Sequence, residues 1–210
     1  MAQGVSTRRR RYRYAARFAA RRQLPPAFVI SAFLISILLS LYNVSNQKMM
    51  PDIHDQLCEL LQREGAVYRV VQHEPEGRTE LIAQIRGNRL EQAIKSIVVQ
   101  VRLEKKENLY CLANVPGDCR IDLNGIQNHF QADSAAFAPR EKAQELTGCV
   151  IGAIPPFSFN DQLHVLADPL IQQNEEVVFN AGRLDRSIFM KPDDYIRIAR
   201  PQLISIALRA

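Results

Sequence analysis

Hydrophobic residues recur at helical spacing in several short segments after residue 51. Ile53, Leu57 and Leu61 are four residues apart and Gly65 follows them, which predicts a helix over 52–64 that ends at the glycine. The same reasoning predicts helices that begin at Thr79, Asp122, Pro139 and Asp193, of which the first and third end at Gly87 and Gly148.

Continuous or alternating apolar runs separate these helices and predict strands. The most distinct pair covers 96–103 and 109–115, joined by a polar turn at 105–108, and we expect a hairpin there. Because strands outnumber long helices, the pattern favours a single α+β domain with a mixed sheet and helices packed outside it. Further strands are predicted at 68–73, 149–154, 162–167, 177–180 and 187–190.

The first 51 residues have a different composition from the remainder. They contain eight arginines, Lys48 and no acidic residue, a charge of +9, whereas the remaining residues hold 18 basic and 22 acidic side chains, a charge of −4. The overall charge of +5 therefore comes from one end of the chain. A mildly acidic domain cannot bind long stretches of nucleic-acid backbone by bulk charge, so any contact with RNA must be local.

The sixteen mostly apolar residues 27–42 leave three interpretations of this extension open. A membrane span needs roughly 20 apolar residues, so the run is a marginal anchor, and the arginines before it would send residues 52–210 out of the cytoplasm. An arginine-rich segment without acids also fits a targeting peptide. We favour the third interpretation, a translation start at Met49 or Met50 and a cytoplasmic protein, with a boundary between extension 1–50 and domain 51–210.

Several well-known chemical motifs are missing from the sequence. There is no G-x-G-x-x-G or G-x-x-x-x-G-K-[ST] phosphate loop and no G-x-S-x-G nucleophile elbow. The four histidines and four cysteines lack the paired spacing of a zinc site, so we expect neither a metal nor a cofactor. The cysteines lie in apolar stretches and are interpreted as reduced, buried thiols.

Two segments remain as candidates for chemistry. Lys95 stands at the mouth of an apolar strand, where it either presents a fixed positive charge or extends from a sheet edge into solvent. Gly152, followed by Pro155 and Pro156, marks a stiff loop in which the glycine lets another backbone or a substrate approach closely. Such a loop can offer free N–H groups to an oxyanion, and the alternative is a structural turn.

Six stretches resemble, in order, the YbaK family of aminoacyl-tRNA deacylases, the stand-alone relatives of the editing domain inserted in bacterial prolyl-tRNA synthetases. The resemblance covers about residues 52–200 and implies a mixed, mostly antiparallel sheet or barrel-like core wrapped by helices. It also implies hydrolysis of mischarged aminoacyl-tRNA. The stretches are Tyr68 to Pro75, Lys95 to Val99, Leu112 to Asp118, Glu145 to Gly148, Gly152 to Ser158 and Phe179 to Asp185.

The resemblance also implies roles for individual residues. Lys95 matches the essential lysine of the family, near the terminal adenosine, and Gly152 and Pro156 match its Gly-x-x-x-Pro element. The expected partner is the acceptor end of a mischarged tRNA, with an aminoacyl-tRNA synthetase as a further candidate. The remaining residues expected to contact substrate are His73, Ala153, Ile154, Pro155, Asn180 and Gly182.

Two questions stay open at the level of sequence. The amino acid removed is expected to be small, and alanine, serine, threonine and cysteine all fit. The alternative function is a non-catalytic binding module on the same fold, tethered to a membrane by residues 27–42.

Overall fold

Two long antiparallel strands, β2 (Ile94–Arg102) and β3 (Asn108–Pro116), form the centre of the larger sheet in the computed structural model, which describes residues 52–104 and 107–209. This is the hairpin expected from the two apolar runs. β5 (Ser134–Phe137) pairs antiparallel with β2, whereas β6 (Leu163–Ala167) runs parallel to β3. The sheet has the order β5-β2-β3-β6-β9, and its last strand is β9 (Gln202–Leu203).

A smaller antiparallel sheet stands beside the larger one. It has the order β1-β8-β7, formed by β1 (Tyr68–Gln72), β7 (Val177–Asn180) and β8 (Arg186–Met190). A single bridge between Ala93 and Val178 brings the start of β2 next to β7. β4 (Cys119–Ile121) and β10 (Ala207–Arg209) form a separate antiparallel pair.

Five α-helices surround these sheets in the described part of the chain. The first helix, α1 (Ile53–Arg63), buries Leu57 and Leu61, two of the residues whose spacing predicted it. The helix that begins at Thr79 ends at Gly87, which adopts the left-handed conformation at φ 71° as a C-terminal glycine does. The helices are α1 (Ile53–Arg63), α2 (Thr79–Arg86), α3 (Leu123–His129), α4 (Arg140–Thr147) and α5 (Pro192–Ala199).

The strand expected over 149–154 is wrong. This apolar segment is a loop with a turn, closed by a hydrogen bond from the Ala153 N–H to the Val150 carbonyl oxygen at 3.0 Å. Ala153 and Ile154 are buried in it, whereas Val150 and Ile151 are exposed. Gly152 has a φ of 90°, which is incompatible with a regular strand. An apolar run alone cannot distinguish such a loop from a strand.

The α+β fold class with a mixed sheet and outer helices is confirmed. Among the helices that the structure describes, none is long and apolar enough to cross a lipid bilayer. The segment 27–42 and the remainder of the extension 1–50 lie outside the described residues.

Candidate active site

A cavity of about 190 Å³ opens where the beginning of β2, one face of α2, the loop after α4 and the end of β7 meet. Two of its lining residues are cationic, Arg86 and Lys95, and none is acidic. An anionic group would therefore be attracted to it. The cavity is lined by Gly77, Thr79, Ile82, Arg86, Ala93, Ile94, Lys95, Ser96, Ile97, Ile151, Gly152, Ile154, Phe179 and Asn180.

The helix α2 supplies one wall of this cavity. Thr79, Ile82 and Arg86 are three and four residues apart, so they share one face of the helix. Ile82 is buried, which fixes that face against the domain. Arg86, in the last turn, is thereby directed into the cavity rather than into solvent.

Lys95 is the second residue of β2, at the mouth of the strand where the sequence placed it. Its Nζ donates a hydrogen bond to the Gly117 carbonyl oxygen at 3.2 Å. Lys95 forms no ion pair with any residue that the structure describes. Its charge is therefore held in place by a neutral group and remains available to a ligand.

Gly152 allows two backbone segments to touch. A Cβ on Gly152 would lie 2.7 Å from the Gly77 Cα and 2.9 Å from the Gly77 carbonyl oxygen. The sequence predicted that Gly152 allows close approach of either another backbone or a substrate. The structure shows the approach of a backbone, that of Gly77. This contact joins the loop after α4 to the segment that leads into α2.

The loop around Gly152 leaves backbone donors unused. Within the described residues, the N–H groups of Gly152 and Ile154 have no hydrogen-bond acceptor. Pro155 and Pro156 follow and are buried, so they stiffen the loop from within the domain. A stiff loop with unused N–H groups beside a cavity fits the requirement for stabilising an oxyanion.

Asn180, at the end of β7, holds the walls of the cavity together. Its Nδ2 donates to the Glu76 carbonyl oxygen at 2.9 Å and to the Gly152 carbonyl oxygen at 2.8 Å. Its Oδ1 accepts from the Ser187 hydroxyl at 3.0 Å. The amide therefore fixes the loop after α4, the segment before α2 and β8 relative to one another.

Arg86 and His73 extend this polar network. The Arg86 Nη1 donates to the Ser187 Oγ at 3.0 Å and its Nε to the Asn88 Oδ1 at 3.1 Å. The His73 Nε2 lies 2.7 Å from the same Ser187 Oγ, and its Nδ1 lies 2.8 Å from the Glu74 carbonyl oxygen. His73 therefore reaches the cavity only through Ser187.

Four of the nine predicted site residues line the cavity: Lys95, Gly152, Ile154 and Asn180. The structure brings them together from positions as far apart as 95 and 180. The other five do not line it: His73 lies behind Ser187, Ala153, Pro155 and Pro156 are buried in the loop, and Gly182 packs against the start of α1, where a Cβ would lie 2.8 Å from the His54 nitrogen.

Sequence reasoning missed Arg86. The helical spacing could have indicated it, because Arg86 lies on the same face of α2 as Thr79 and Ile82 and is the charged residue of the three. A basic residue in the last turn also stabilises a helix end. This ordinary role explains the presence of Arg86 without a functional one, so the sequence gives no reason to single it out.

Cys111, Cys119 and Cys149 are buried free thiols, as expected, whereas the free thiol Cys58 is only partly buried. Burial raises the pKa of Cys149 to about 12, and that of Cys111 to about 12 as well. Neither supplies a thiolate nucleophile at neutral pH.

The profile of the aminoacyl-tRNA editing domain family matches residues 73–198. The chain belongs to this family. The match begins at His73 and includes Arg86, Lys95, Gly152 and Asn180.

Individual relatives give the same result. The chain is 43% identical over 153 residues to the multifunctional Ser/Thr-tRNA deacylase ProXp-y of Escherichia coli K12, an alignment that covers 72% of this chain and 91% of the relative. The protein of the O157:H7 strain matches equally well. The crystal structure of a proposed trans-editing enzyme for prolyl-tRNA synthetase has a TM-score of 0.64 at 24% identity, covering 77% of this chain and 99% of the other.

The expectation drawn from the six ordered stretches is thus confirmed. This member of the editing family is an aminoacyl-tRNA deacylase that acts on mischarged tRNA. The alternative, a non-catalytic module on the same fold, finds no support in these comparisons.

Proposed function

We propose that this deacylase removes serine and threonine from mischarged tRNA, with the ester bound in the cavity between α2, β2 and the Gly152 loop. The observation that carries the proposal is a cavity with two cations, no carboxylate and a loop with unused N–H groups, in a chain 43% identical to a Ser/Thr-tRNA deacylase. A cavity of about 190 Å³ suits a small aminoacyl group.

A polar amino acid also finds a matching group in the cavity wall. The Ser96 Oγ is buried and has no hydrogen-bond partner among the described residues. Ser96 lines the cavity, and rotation about its Cα–Cβ bond would bring the Oγ to a substrate hydroxyl. A site that hydrogen-bonds a substrate hydroxyl discriminates strongly against an analogue that lacks it, because its own polar group would stay unpaired. This favours serine and threonine over alanine.

The reaction needs no protein nucleophile. Water, oriented by the vicinal ribose hydroxyl of the substrate, adds to the ester carbonyl carbon, and the loop N–H groups stabilise the oxygen that becomes negative. The bond from carbon to the ribose oxygen then breaks and that oxygen takes a proton. The amino acid leaves as a carboxylate and the second proton of the water passes to solvent. Lys95 holds the phosphate or the carbonyl end.

The amino-acid specificity is tested by deacylation assays of the full chain. tRNAs charged with serine, threonine, alanine or cysteine are compared at equal concentration, and kcat/KM is expected to be largest for serine and threonine. Ser96→Ala is expected to reduce the preference for serine over alanine while leaving the rate on alanyl-tRNA nearly unchanged. Equal rates on all four esters would contradict the specificity.

The place of action follows from the substrate. Charged tRNA is made in the compartment of translation, which supports a cytoplasmic enzyme and a functional chain that begins at Met49 or Met50. Intact-mass measurement of the native protein tests this start. A full-length product in the membrane fraction, with residues 52–210 cleaved by protease added outside the cell, would contradict it.

Association with prolyl-tRNA synthetase is tested by co-purification of the two proteins.

A further inference from the structure

Arg86 is a cation without a counterion in the described part of the chain. Its hydrogen-bond partners are the neutral oxygens of Asn88, Asn180 and Ser187. The other exposed or partly buried arginines of the cavity region do find carboxylates: Arg78 binds Glu76 and Arg89 binds Glu91, each at 2.8 Å. Arg86 therefore differs from these two arginines in having no carboxylate partner among the described residues.

Leaving a charge in this state is unfavourable. Burial lowers the pKa of Arg86 to about 10, which shows the direction of the desolvation penalty and still leaves the guanidinium protonated at neutral pH. A partly buried charge without a partner lowers the stability of the free protein. A bound anion would remove that penalty.

The guanidinium is also held in position before any ligand arrives. Nε and Nη1 are occupied by Asn88, Asn180 and Ser187, of which Ser187 is 0% and Asn180 is 8% exposed. Nη2 has no partner among the described residues. Two N–H bonds of a fixed, planar cation are therefore unused, and Arg86 lines the cavity.

The position of Arg86 indicates which anion it meets. Its Nη1 lies 3.4 Å from the Asn180 Oδ1, and the Nδ2 of the same amide donates to the Gly152 carbonyl oxygen at 2.8 Å. Arg86 is therefore linked through Asn180 to the loop whose N–H groups are proposed to stabilise the oxyanion. The ester is at the end of the tRNA and enters the cavity. The phosphates lie further back along the tRNA chain, toward the outside of the cavity. Lys95 belongs to a different wall, tied to Gly117.

We propose that the Nη2 of Arg86 stabilises the negative charge that develops on the ester carbonyl oxygen during hydrolysis. This rests on the proposed deacylase function. As the water oxygen bonds to the carbonyl carbon, the π electron pair moves to the carbonyl oxygen, and Arg86 donates to that oxyanion. The pair then returns to re-form the carbonyl, the bond to the ribose oxygen breaks, and the ribose oxygen takes the proton that the water gives up.

The test compares Arg86→Lys and Arg86→Ala in the full chain, with Arg89→Ala as the matched control. Under single turnover with seryl-tRNA, both Arg86 variants are expected to lose about 100- to 1000-fold in the maximal rate, as for removal of one oxyanion donor, with the concentration for half-maximal rate changed less than about twofold. Arg89→Ala is expected to keep the wild-type rate. Methylguanidine is expected to restore part of the rate of Arg86→Ala and none of that of Lys95→Ala.

Binding of uncharged tRNA distinguishes an oxyanion contact of Arg86 from a phosphate contact. An oxyanion role leaves the Kd of uncharged tRNA unchanged in the Arg86 variants, because that tRNA has no ester. A Kd that rises by the same factor as the rate falls would mean a phosphate contact and overturn the proposal. An unchanged rate in folded Arg86→Lys would also overturn it. If Arg86→Ala does not fold, the rate and Kd of Arg86→Lys decide alone. Wild-type inactivity on every mischarged tRNA would instead refute the proposed function.

Discussion

Two cavities near the turn between β3 and β4 differ in how their charges are balanced. The cavity of the candidate active site has Arg86 and Lys95 and no carboxylate. A second cavity, of about 330 Å³, has two arginines, Arg89 and Arg209, together with Glu91 and Asp118. Both lie close to Gly117, since Pro116 and Asp118 line the second and Lys95 of the first donates to the Gly117 oxygen.

Cavity volume alone therefore does not identify the site. The second cavity is larger, yet its two arginines are matched in number by two carboxylates, and Arg89 contacts Glu91 at 2.8 Å. The smaller cavity keeps two positive charges that only a ligand could neutralise. Glu76 lies near by, but its carboxylate is occupied by the Arg78 side chain and by the N–H groups of Gly77 and Arg78.

The largest effect is expected from removing the charge of Lys95. Lys95→Ala should retain the fold and lose most deacylation, since loss of one preorganised stabilising group costs about 2.7–4 kcal/mol in the barrier, or a factor of about 100 to 1000. The measurement is kcat/KM on mischarged tRNA, with circular dichroism as the check on folding. Arg209→Ala, the matched change in the second cavity, should lose less than threefold. Equal losses in the two variants would remove the distinction between the cavities.

Gly152→Val should lower activity by about 100-fold, because an error of about 1 Å in positioning has that effect on a rate. The new Cβ would lie 2.7 Å from the Gly77 Cα, and the φ of 90° adds strain of about 1–3 kcal/mol. Thermal unfolding and deacylation are measured together.

Cys149→Ser is the control for the loop, because Cys149 is buried three residues before Gly152 but does not line the cavity. It should keep near-wild-type activity. If the cysteine change abolished deacylation and the glycine change did not, the oxyanion role of the loop would be wrong and a thiol mechanism would have to be considered.

Thr79→Asp tests the charge balance directly by adding a carboxylate to the cationic cavity. It should reduce kcat/KM by about tenfold, because a carboxylate close to Lys95 and Arg86 competes with the substrate for their charge. Helix stability should not fall, since an acidic residue in the first turn of α2 is favourable. Thr79→Asn, of similar shape and uncharged, is the control. A loss of the same size in both variants would point to shape rather than charge.

The smallest effect concerns pH. Hydrogen bonds from the Arg78 side chain and N–H lower the pKa of Glu76 to about 2 from 4.5. Because the pKa is lowered in the folded protein, the contribution of this carboxylate to stability is present above pH 4.5 and is lost as pH falls toward 2. Between pH 5 and 2, the Tm of wild type should decrease slightly more than that of Glu76→Gln. Parallel curves would contradict this role of Glu76.

Elements whose stabilising contacts are local could be predicted from the sequence. The β2–β3 hairpin, α1 and α2 appear within about two residues of their predicted bounds, because hydrophobic periodicity and glycine at helix ends act within a few residues. The position of Lys95 at a strand mouth was predicted from the same kind of local signal, and the six ordered stretches indicated the family.

Elements whose partners are remote in the sequence could not be predicted, because they depend on long-range packing. The strands β4, β5, β9 and β10 were not predicted, and they are short edge or paired strands stabilised by residues far along the chain, as in the pairing of Ala207 with Ile121. The apolar run 149–154 was predicted as a strand, but the approach of Gly77 makes it a loop.

The candidate site shows the same division. The sequence indicated a functional charge at Lys95 and a close approach at Gly152. Arg86, in contrast, resembled an ordinary basic residue at a helix end. Whether a cation is compensated depends on the groups that surround it in space, and the Ser187 Oγ that Arg86 binds comes from a position 101 residues away. Long-range packing therefore decided which positive charges are neutralised within the protein and which are left for the substrate.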